Sequence, residues 1–433
     1  MSSAMTTTEY TTAEYTIPGM HVREHTVTVP LDWADPEGAG IRVFARELVD
    51  PRRRDEALPL LVFLQGGPGG KSPRPETTGE WIGSALKTHR VVLLDQRGTG
   101  RSSRVTGDVI SRFGAEDGAR YLLNFRADSI VADLEYLRKT VFGGAKWSTL
   151  GQSYGGFLTL TYLSKAPEAL ESCYVVGGLA GIHPSADEVY RRTYPRVEGK
   201  TARFYARYPQ DVDRVAAVAD FIDAHDVRLP DGDRLSVRRL QSLGLDFGMK
   251  PSFERMHWLF DEAWTNEGAT PDALADVFLN EVYQRTNFWD NPLFVVMQES
   301  IYGSGPNPTR WAASRALPAN FSTSNRPLQF TGEMMFPWML EEIASLRPFA
   351  AAANALAEIA EYPPLYDLDR LASNEVPVNA AVYFDDMYVD RDLSLETAAK
   401  VGNVQTWVTN EYEHDGIHDG STVFDRLVEL RQR

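Results

Sequence analysis

The spacing of apolar residues along the first 180 positions predicts alternating strands and helices. Residues 25–29 and 41–46 alternate between apolar and polar side chains, and the turn-forming segment 35–38 between them predicts a hairpin. Further strands are predicted where apolar residues run together, a pattern typical of strands buried on both faces of a parallel sheet. These strands are 60–64, 91–94, 147–152 and 172–176.

Helical periodicity fills the intervals between the later strands. Residues 126–142 place apolar side chains on one helical face, with Asp128 or Ser129 as the predicted N-cap, and residues 157–164 predict a second helix. Strands and helices that alternate at this spacing form βαβ units. We therefore predict the α/β class, with a mostly parallel, doubly wound sheet.

The pattern changes at about His183, where strand signals stop and aromatic and charged residues mix at helical spacing. Strand signals return only near the end of the chain, so the sheet is interrupted and later completed. The predicted helices of the interrupting region include 253–264, 272–283 and 350–360, and the final elements are strands 378–383 and 404–408 and a helix at 421–431.

The length of 433 residues exceeds what one compact core usually holds. Together with the interruption, it predicts a core of residues 10–182 and 370–433 and a helical cap of residues 183–369 inserted in that core.

Composition and charge exclude some classes of protein. No apolar run is long enough to span a bilayer, and the net charge of -16 argues against binding to nucleic acid. Residues 1–12 lack the basic and apolar regions of a signal peptide and predict a short mobile tail. The single cysteine, Cys173, has no partner for an internal disulfide, so we expect a cytoplasmic protein.

The strongest chemical signal is the G-x-S-x-G pattern of residues 151–155, between a predicted strand and a predicted helix. The turn is so tight that the residues two positions either side of the nucleophile must be small, and Gly151 and Gly155 meet that need. A lone pentapeptide of this kind often marks only a glycine-rich turn. The flanking strand and helix favour Ser153 as a nucleophile.

A serine nucleophile needs a base, and the base needs an orienting acid. In proteins with a G-x-S-x-G turn of this kind, the acid and then the histidine follow the serine along the chain. Only two histidines follow the late strand that ends at residue 383. Asp386 and His414 are the predicted acid and base. Asp385 and His418 remain alternatives, because a register of one residue is not fixed by the sequence.

The glycine-rich segment 65–70 follows a strand, and its backbone amides can approach a developing negative oxygen. We predict an oxyanion hole formed by the amides of Gly67 and Tyr154. Residues 70–72 resemble the end of a phosphate-binding loop, but Gln65 stands where that motif needs glycine.

A zinc site is the competing interpretation of His21-Val22-Arg23-Glu24-His25, which fits an H-x-x-E-H pattern. That chemistry needs a helix, whereas these residues run into an alternating strand. We predict surface histidines here, and neither a metal nor a cofactor for the reaction.

Three motifs together resemble the prolyl aminopeptidase (proline iminopeptidase) family of α/β-hydrolases: Gly-Gly-Pro-Gly at 66–69, Asp-Gln-Arg-Gly-Thr-Gly-Arg-Ser at 95–102, and Gly-Gln-Ser-Tyr-Gly-Gly at 151–156. Segments 385–389 and 410–416 are similar to its longer bacterial branch. The resemblance implies the α/β-hydrolase fold, with Ser153, Asp386 and His414 as the triad. Many relatives have histidine where this chain has Gln65, a departure that we expect to affect loop packing only.

In this family, glutamates of the helical cap hold the α-ammonium group of the substrate. The resemblance implies Glu299 and Glu333 for this role, since each is a lone acid among apolar and aromatic residues, where an unpaired carboxylate is costly. A salt bridge to arginine or plain exposure on a helix is an equally good interpretation of each. Tyr302 and Phe336, with Trp338, are candidates for an apolar wall around a proline ring, although such aromatics more often belong to the core.

The sequence therefore predicts a serine exopeptidase that releases an N-terminal residue, preferably proline, from small peptides with a free N-terminus. The alternative is an esterase or amidase of the same fold without an N-terminal requirement, because fold and triad do not fix the substrate. A non-catalytic receptor on a hydrolase scaffold is disfavoured by the complete set of serine, acid and histidine. Subunit association is left open.

Overall fold

A nine-stranded sheet forms the centre of the protein, whose computed structural model describes residues 10–183, 185–265 and 273–432. The strands are β1 (Tyr10–Ile17), β2 (Met20–Pro30), β3 (Gly40–Val49), β4 (Leu60–Leu64), β5 (Arg90–Asp95), β6 (Trp147–Gln152), β7 (Leu170–Val176), β8 (Val378–Tyr383) and β9 (Val404–Thr409).

The strands lie in the order β1-β2-β3-β5-β4-β6-β7-β8-β9. The pairings among β1, β2, β3 and β5 are antiparallel, whereas every pairing from β5 through β4 to β9 is parallel. The predicted α/β class with a mostly parallel sheet is confirmed. The predicted hairpin is also confirmed, as the pairing of β2 with β3.

The helices that precede β8 in the chain are α1 (Glu80–Ala85), α2 (Gly107–Ile110), α3 (Ala115–Leu123), α4 (Ala127–Val141), α5 (Tyr154–Lys165), α6 (Ala186–Arg207), α7 (Asp211–Ala224), α8 (Val237–Gln241), α9 (Ser252–Asp261), α10 (Asp276–Thr286), α11 (Pro292–Met297), α12 (Ala312–Arg315), α13 (Met339–Glu342), α14 (Ala350–Ala357) and α15 (Leu368–Ala372). The later ones are α16 (Arg391–Lys400) and α17 (Thr422–Arg431).

Alternation along the buried strands supplies a core on each face of the sheet. In β4, Val62 and Leu64 join the cluster that contains α4 and α5, while Leu61 and Phe63 join the cluster that contains α1 and α17. Trp81 of α1 stacks on Phe63 with ring centroids 4.8 Å apart. Both faces of the sheet are therefore covered, which explains the uninterrupted apolar run of this strand.

The beginnings of strand β1 and helix α4 differ from the sequence prediction. Residues 1–9 of the predicted tail lie outside the described residues, but residues 10–12 belong to β1, which pairs with β2. The N-cap of α4 is Arg126, and neither Asp128 nor Ser129. The Arg126 side chain makes no capping hydrogen bond and instead donates to the backbone oxygens of Gly303 and Pro363.

Helices α6 to α15 all lie between β7 and β8, and we call the described residues between these two strands the insertion. The division into a core of 10–182 and 370–433 and a cap of 183–369 stays a prediction. Within the described ranges, no helix is long and apolar enough to cross a membrane.

Candidate active site

Ser153 occupies a sharp turn between β6 and α5. Its backbone has φ 55° and ψ -123°, a region that a residue with a side chain adopts only at a cost of about 1–3 kcal/mol. A Cβ atom at Gly151 would lie 2.3 Å from the Gly155 oxygen, and one at Gly155 would lie 1.9 Å from the Leu64 oxygen. Glycine is therefore required on both sides of the turn that carries the serine.

Asp386 and His414 form a buried hydrogen-bonded pair on the loops after β8 and β9. Asp386 Oδ2 lies 2.7 Å from His414 Nδ1, while Asp386 Oδ1 accepts from the backbone amides of Tyr388, at 2.8 Å, and Val389, at 3.1 Å. The His414 amide donates to the Gly248 oxygen of the insertion at 2.9 Å. Both partners are thus held in place before any substrate binds.

The pKa of His414 reflects two opposing effects. Burial acts to lower it, but the charge of Asp386 and the hydrogen bond to that carboxylate outweigh burial, so the pKa lies above its usual value of 6.5. The charges of Glu333 and Asp415 add to the increase. The surroundings therefore favour the imidazolium ion, the state that a general base reaches after taking a proton.

The turn after β7 joins the serine to this pair. A Cβ atom at Gly178 would lie 2.4 Å from the Ser153 carbonyl oxygen. At Gly177, a Cβ atom would lie 3.1 Å from His414 Nδ1 and 3.3 Å from Asp386 Oδ2. Two adjacent glycines thus contact the serine backbone on one side and the acid–base pair on the other, at the sheet edge where β6, β8 and β9 end.

The alternative residues lie in other surroundings. Asp385 pairs with Arg203 at 2.9 Å, and its side chain is 39% exposed. His418 pairs with Glu80 at 3.2 Å, and its side chain is 44% exposed. Their neighbours Asp386 and His414 are only 1% and 6% exposed, so the geometry favours the buried pair.

The loop after β4 packs directly against the serine turn. A Cβ atom at Gly66 would lie 3.0 Å from the Ser153 Cβ atom. The backbone amides of Gly67 and Tyr154 find no acceptor among the described residues. Tyr154 is the first residue of α5, where helix geometry leaves the N–H group free. Two unused donors beside the serine provide what an oxyanion hole needs.

Glu299 is a buried carboxyl group that two backbone amides hold in place. Its oxygens accept from the amides of Ala312 and Ala313, each at 2.9 Å, at the start of α12. Burial raises the pKa of Glu299 to about 7, although these two hydrogen bonds act in the opposite direction. No described arginine or lysine pairs with it, so the salt-bridge interpretation is not supported.

Glu333 lies close to the acid–base pair without an ion-pair partner among the described residues. Burial raises its pKa to about 7, the charge of His414 lowers it, and the charge of Asp386 raises it further. The preceding Gly332 packs on Met387, since a Cβ atom there would lie 3.0 Å from the Met387 Cε atom. The segment that carries Glu333 therefore lies against the loop that carries Asp386.

The predicted aromatic residues separate into two places. Tyr302 packs against Phe157 of α5, with ring centroids 5.9 Å apart, and lines a cavity of about 200 Å³ between α5 and the insertion. Burial, followed by the charges of Glu333 and Glu299, raises its pKa well above 10. Phe336 is buried and stacks on Trp338, with centroids 6.0 Å apart. Its part in a proline pocket stays a prediction.

Comparison with known proteins is consistent with these motifs. Residues 59–231 match the α/β hydrolase fold family. A proline iminopeptidase of Aeromonas sobria is 44% identical over 423 residues, which cover 96% of this chain and 98% of that protein. A proline iminopeptidase of Aspergillus aculeatus is 32% identical over 421 residues, covering 93% and 92%.

The chain belongs to the proline iminopeptidase family. The family resemblance inferred from the three glycine-containing motifs is confirmed, and so is the prediction of a hydrolase enzyme with the α/β-hydrolase fold. The coverage of almost the whole chain means that the similarity includes the insertion as well as the sheet.

His21 and His25 lie in β2, as the alternation predicted, and not on a helix. The prediction that they are surface histidines is wrong, because they are only 6% and 4% exposed. Their Nδ1 atoms lie within hydrogen-bond distance of Thr16, at 3.1 Å, and Thr12, at 3.2 Å. Elsewhere in the described ranges, no group of three histidine, cysteine or acidic side chains is arranged to hold a metal ion.

Sequence reasoning missed a row of cations in this family member that joins the insertion to the catalytic loops. Arg196 of α6 pairs with Asp390 at 2.5 Å, and Lys200 pairs with Glu413, the residue before His414. Arg203 pairs with Asp385. Residues three or four positions apart share one helical face, so the spacing was visible in the sequence, but the partners about 190 residues away were not.

Proposed function

We propose that this protein is a serine exopeptidase that releases the N-terminal residue, preferably proline, from small peptides. The observation that carries the proposal is Glu333, a carboxyl group near His414 and Asp386 that forms no ion pair with a described arginine or lysine. A largely desolvated carboxylate without an arginine or lysine partner is unfavourable, and an N-terminal ammonium group supplies a positive charge. Family membership supports the same substrate class.

In the proposed reaction, Ser153 Oγ attacks the carbonyl carbon of the first residue, and His414 takes the hydroxyl proton. Asp386 holds the imidazole ring through Nδ1 and stabilises the imidazolium ion. The amides of Gly67 and Tyr154 donate to the negative oxygen of the tetrahedral intermediate. His414 then gives its proton to the departing amine, which breaks the peptide bond and leaves an acyl-enzyme.

Water completes the cycle by the same route. His414 takes a proton from the water molecule as its oxygen attacks the acyl carbon, and returns that proton to Ser153 Oγ as the free amino acid leaves. Each proton is accounted for by His414, so the proposed reaction requires no cofactor.

The glutamates limit cleavage to the first residue in this proposal. With the substrate ammonium beside Glu333 and Glu299, the first carbonyl group lies over Ser153, and a blocked or internal nitrogen would leave the carboxyl groups unpaired. Tyr302 and Phe336 are proposed to contact the apolar proline ring. The predicted cap, residues 183–369, would then bind the substrate, while the core supplies the triad. The cytoplasmic location of the protein remains a prediction.

The nucleophile is tested by Ser153→Ala, with L-proline anilide as substrate. We expect hydrolysis to fall by at least about 10⁴-fold, because the acyl-enzyme step is lost, with thermal unfolding little changed. Retention of full turnover by the variant would rule out Ser153 as the nucleophile.

The substrate requirement is tested by comparing L-proline anilide with its N-acetylated form. We expect the wild type to prefer the free amine by about 100-fold or more, the effect of one lost buried charge pair. Equal rates on the two compounds would instead identify an esterase or amidase without an N-terminal requirement.

A further inference from the structure

Gln298 is a buried amide with no hydrogen bond. It lies between α11 and Glu299, and its side chain is fully buried. Neither Nε2 nor Oε1 has a partner among the described residues. Leaving such a group unsatisfied costs about 1–3 kcal/mol, and most buried polar groups in native proteins have a partner. A hydrophobic residue of the same length would serve the fold better at this position.

The amide faces the carboxyl group of Glu333. Burial raises the pKa of Glu333, and the Gln298 amide, which approaches this carboxyl group without reaching hydrogen-bond geometry, acts to lower it. The two residues come from different parts of the insertion, so this approach is a tertiary arrangement and not a consequence of sequence neighbourhood. The unsatisfied amide is therefore directed at the proposed ammonium site.

Tyr190 of α6 adds a second unsatisfied group to the same place. Its hydroxyl is buried without a partner in the described part of the chain. Its ring packs edge-on against Tyr302, with centroids 6.3 Å apart. Burial raises its pKa, and the charges of Glu299 and Glu333 contribute to the increase. Three separate segments of the insertion thus bring polar atoms together around these carboxyl groups.

We propose that Gln298 determines specificity, its Oε1 atom accepting one N–H of the substrate's terminal ammonium group while Glu333 accepts another. The inference rests on the proposed exopeptidase function and deepens it. Gln298 Nε2 donates to the Glu333 carboxylate, so that both ends of the amide are satisfied when the ligand is bound.

The number of donors on the ligand fits this arrangement. The ring nitrogen of an N-terminal proline is a secondary ammonium with two N–H bonds, one for Glu333 and one for Gln298. Other N-terminal residues carry a third N–H bond, and the remaining carboxyl group, Glu299, already accepts two backbone amides. The site therefore satisfies a secondary ammonium more completely than a primary one, which is a physical reason for a preference for proline.

The test measures binding and stability together, independently of turnover. L-Prolinamide is titrated calorimetrically at pH 8 into the wild type, Gln298→Met and Gln298→Glu, and thermal unfolding is recorded without ligand. We expect Gln298→Met to bind about tenfold or more weakly, since a hydrogen bond to a charged group is lost, yet to unfold at a higher temperature. Gln298→Glu retains the acceptor but loses the donor to Glu333, so it should bind more weakly than the wild type and more tightly than Gln298→Met.

Thr201→Val is the matched control, because the Thr201 hydroxyl of α6 is also buried and unpartnered among the described residues. It should unfold at a higher temperature with binding unchanged. The proposal is overturned if Gln298→Met binds prolinamide as tightly as the wild type, or if Gln298→Glu binds as weakly as Gln298→Met. Failure of the exopeptidase function is seen separately, as absence of L-proline anilide hydrolysis by the wild type.

Discussion

Polar side chains have hydrogen-bond partners at the sheet edge that carries Ser153, Asp386 and His414, whereas several side chains of the neighbouring roof have none. The roof consists of Tyr190, Gln298, Glu299 and Glu333. At the edge, Asp386 accepts from His414 and from two backbone amides, so its oxygens are satisfied. In the roof, Gln298 and Tyr190 have no hydrogen bond from any described residue. The edge is complete without a ligand, whereas the roof needs one.

Glu299 marks the boundary between these two behaviours. It belongs to the roof, yet both of its oxygens already accept backbone amides. Glu333 has the same raised pKa, about 7, without such anchors. The contrast assigns a fixed, orienting charge to Glu299 and the more adaptable contact with the ligand to Glu333.

Removing the charge at the edge should have the largest effect. Asp386→Asn keeps the size of the side chain but not the charge that stabilises the imidazolium ion, and we expect kcat to fall by about 10⁴-fold with KM little changed. Steady-state kinetics on L-proline anilide checks this. A loss below tenfold would mean that another acid orients His414.

Removing the charge in the roof should act on binding. Glu333→Gln leaves the ammonium group without its carboxylate, and we expect kcat/KM for L-proline anilide to fall by about 100-fold. The same variant should change hydrolysis of the N-acetylated compound by less than about threefold. An equal loss on both substrates would place Glu333 in catalysis and not in amine binding.

Glu333→Gln should also change how the free energy of unfolding depends on pH. The folded protein raises the pKa of Glu333 from 4.5 to about 7, so the folded state binds more protons than the unfolded state, and stability falls as pH rises through this range. Glu333→Gln removes this loss. Its free energy of unfolding should exceed that of the wild type by up to about 3 kcal/mol at pH 8, with no difference near pH 4.

Breaking the ion pair of Lys200 with Glu413, which joins α6 to the loop of His414, should have an intermediate effect. Lys200→Met leaves the half-buried Glu413 without its cation, and we expect a loss of about 1–3 kcal/mol in unfolding free energy and about tenfold in kcat, because Glu413 precedes His414. Lys200→Met combined with Glu413→Gln should recover most of the stability. If the double variant is as unstable as the single one, the ion pair is not the cause.

The smallest effect is expected for a substitution of Asp385, the exposed residue next to Asp386. Asp385→Asn removes only the exposed pair with Arg203, so stability should change by less than about 1 kcal/mol and kcat by less than about twofold. Denaturant unfolding and anilide kinetics check both values. A large loss of kcat would reverse the assignment of Asp385 and Asp386.

The sheet and the serine turn could be predicted because their signals are local. The apolar run of β4 and the glycines around Ser153 reflect burial on two faces and a tight turn, and each is visible within a few residues. The choice between Asp385 and Asp386 was not local, since it depends on which side chain is buried. Only the tertiary structure reveals that difference.

The remaining errors also arise from long-range contacts. Arg126 precedes α4, and its side chain donates to backbone oxygens about 180 residues or more away, contacts that a capping rule based on Asp128 or Ser129 does not include. Residues 10–12 belong to β1 through backbone pairing with β2, although their side chains are polar. The amides that hold Glu299 come from α12, whose position the helical spacing did not reveal.

The contacts of helix α6 limit where two relatives can be joined to make a chimera. Through Arg196, Lys200 and Arg203 it contacts the loops that carry both Asp386 and His414. A chimera joined at residue 183 would take these three positions from one parent and their acidic partners from the other, so the pairs would form only where the first parent also has cations there. A junction after Arg207 would leave these pairs within one parent and transfer only the later part of the roof.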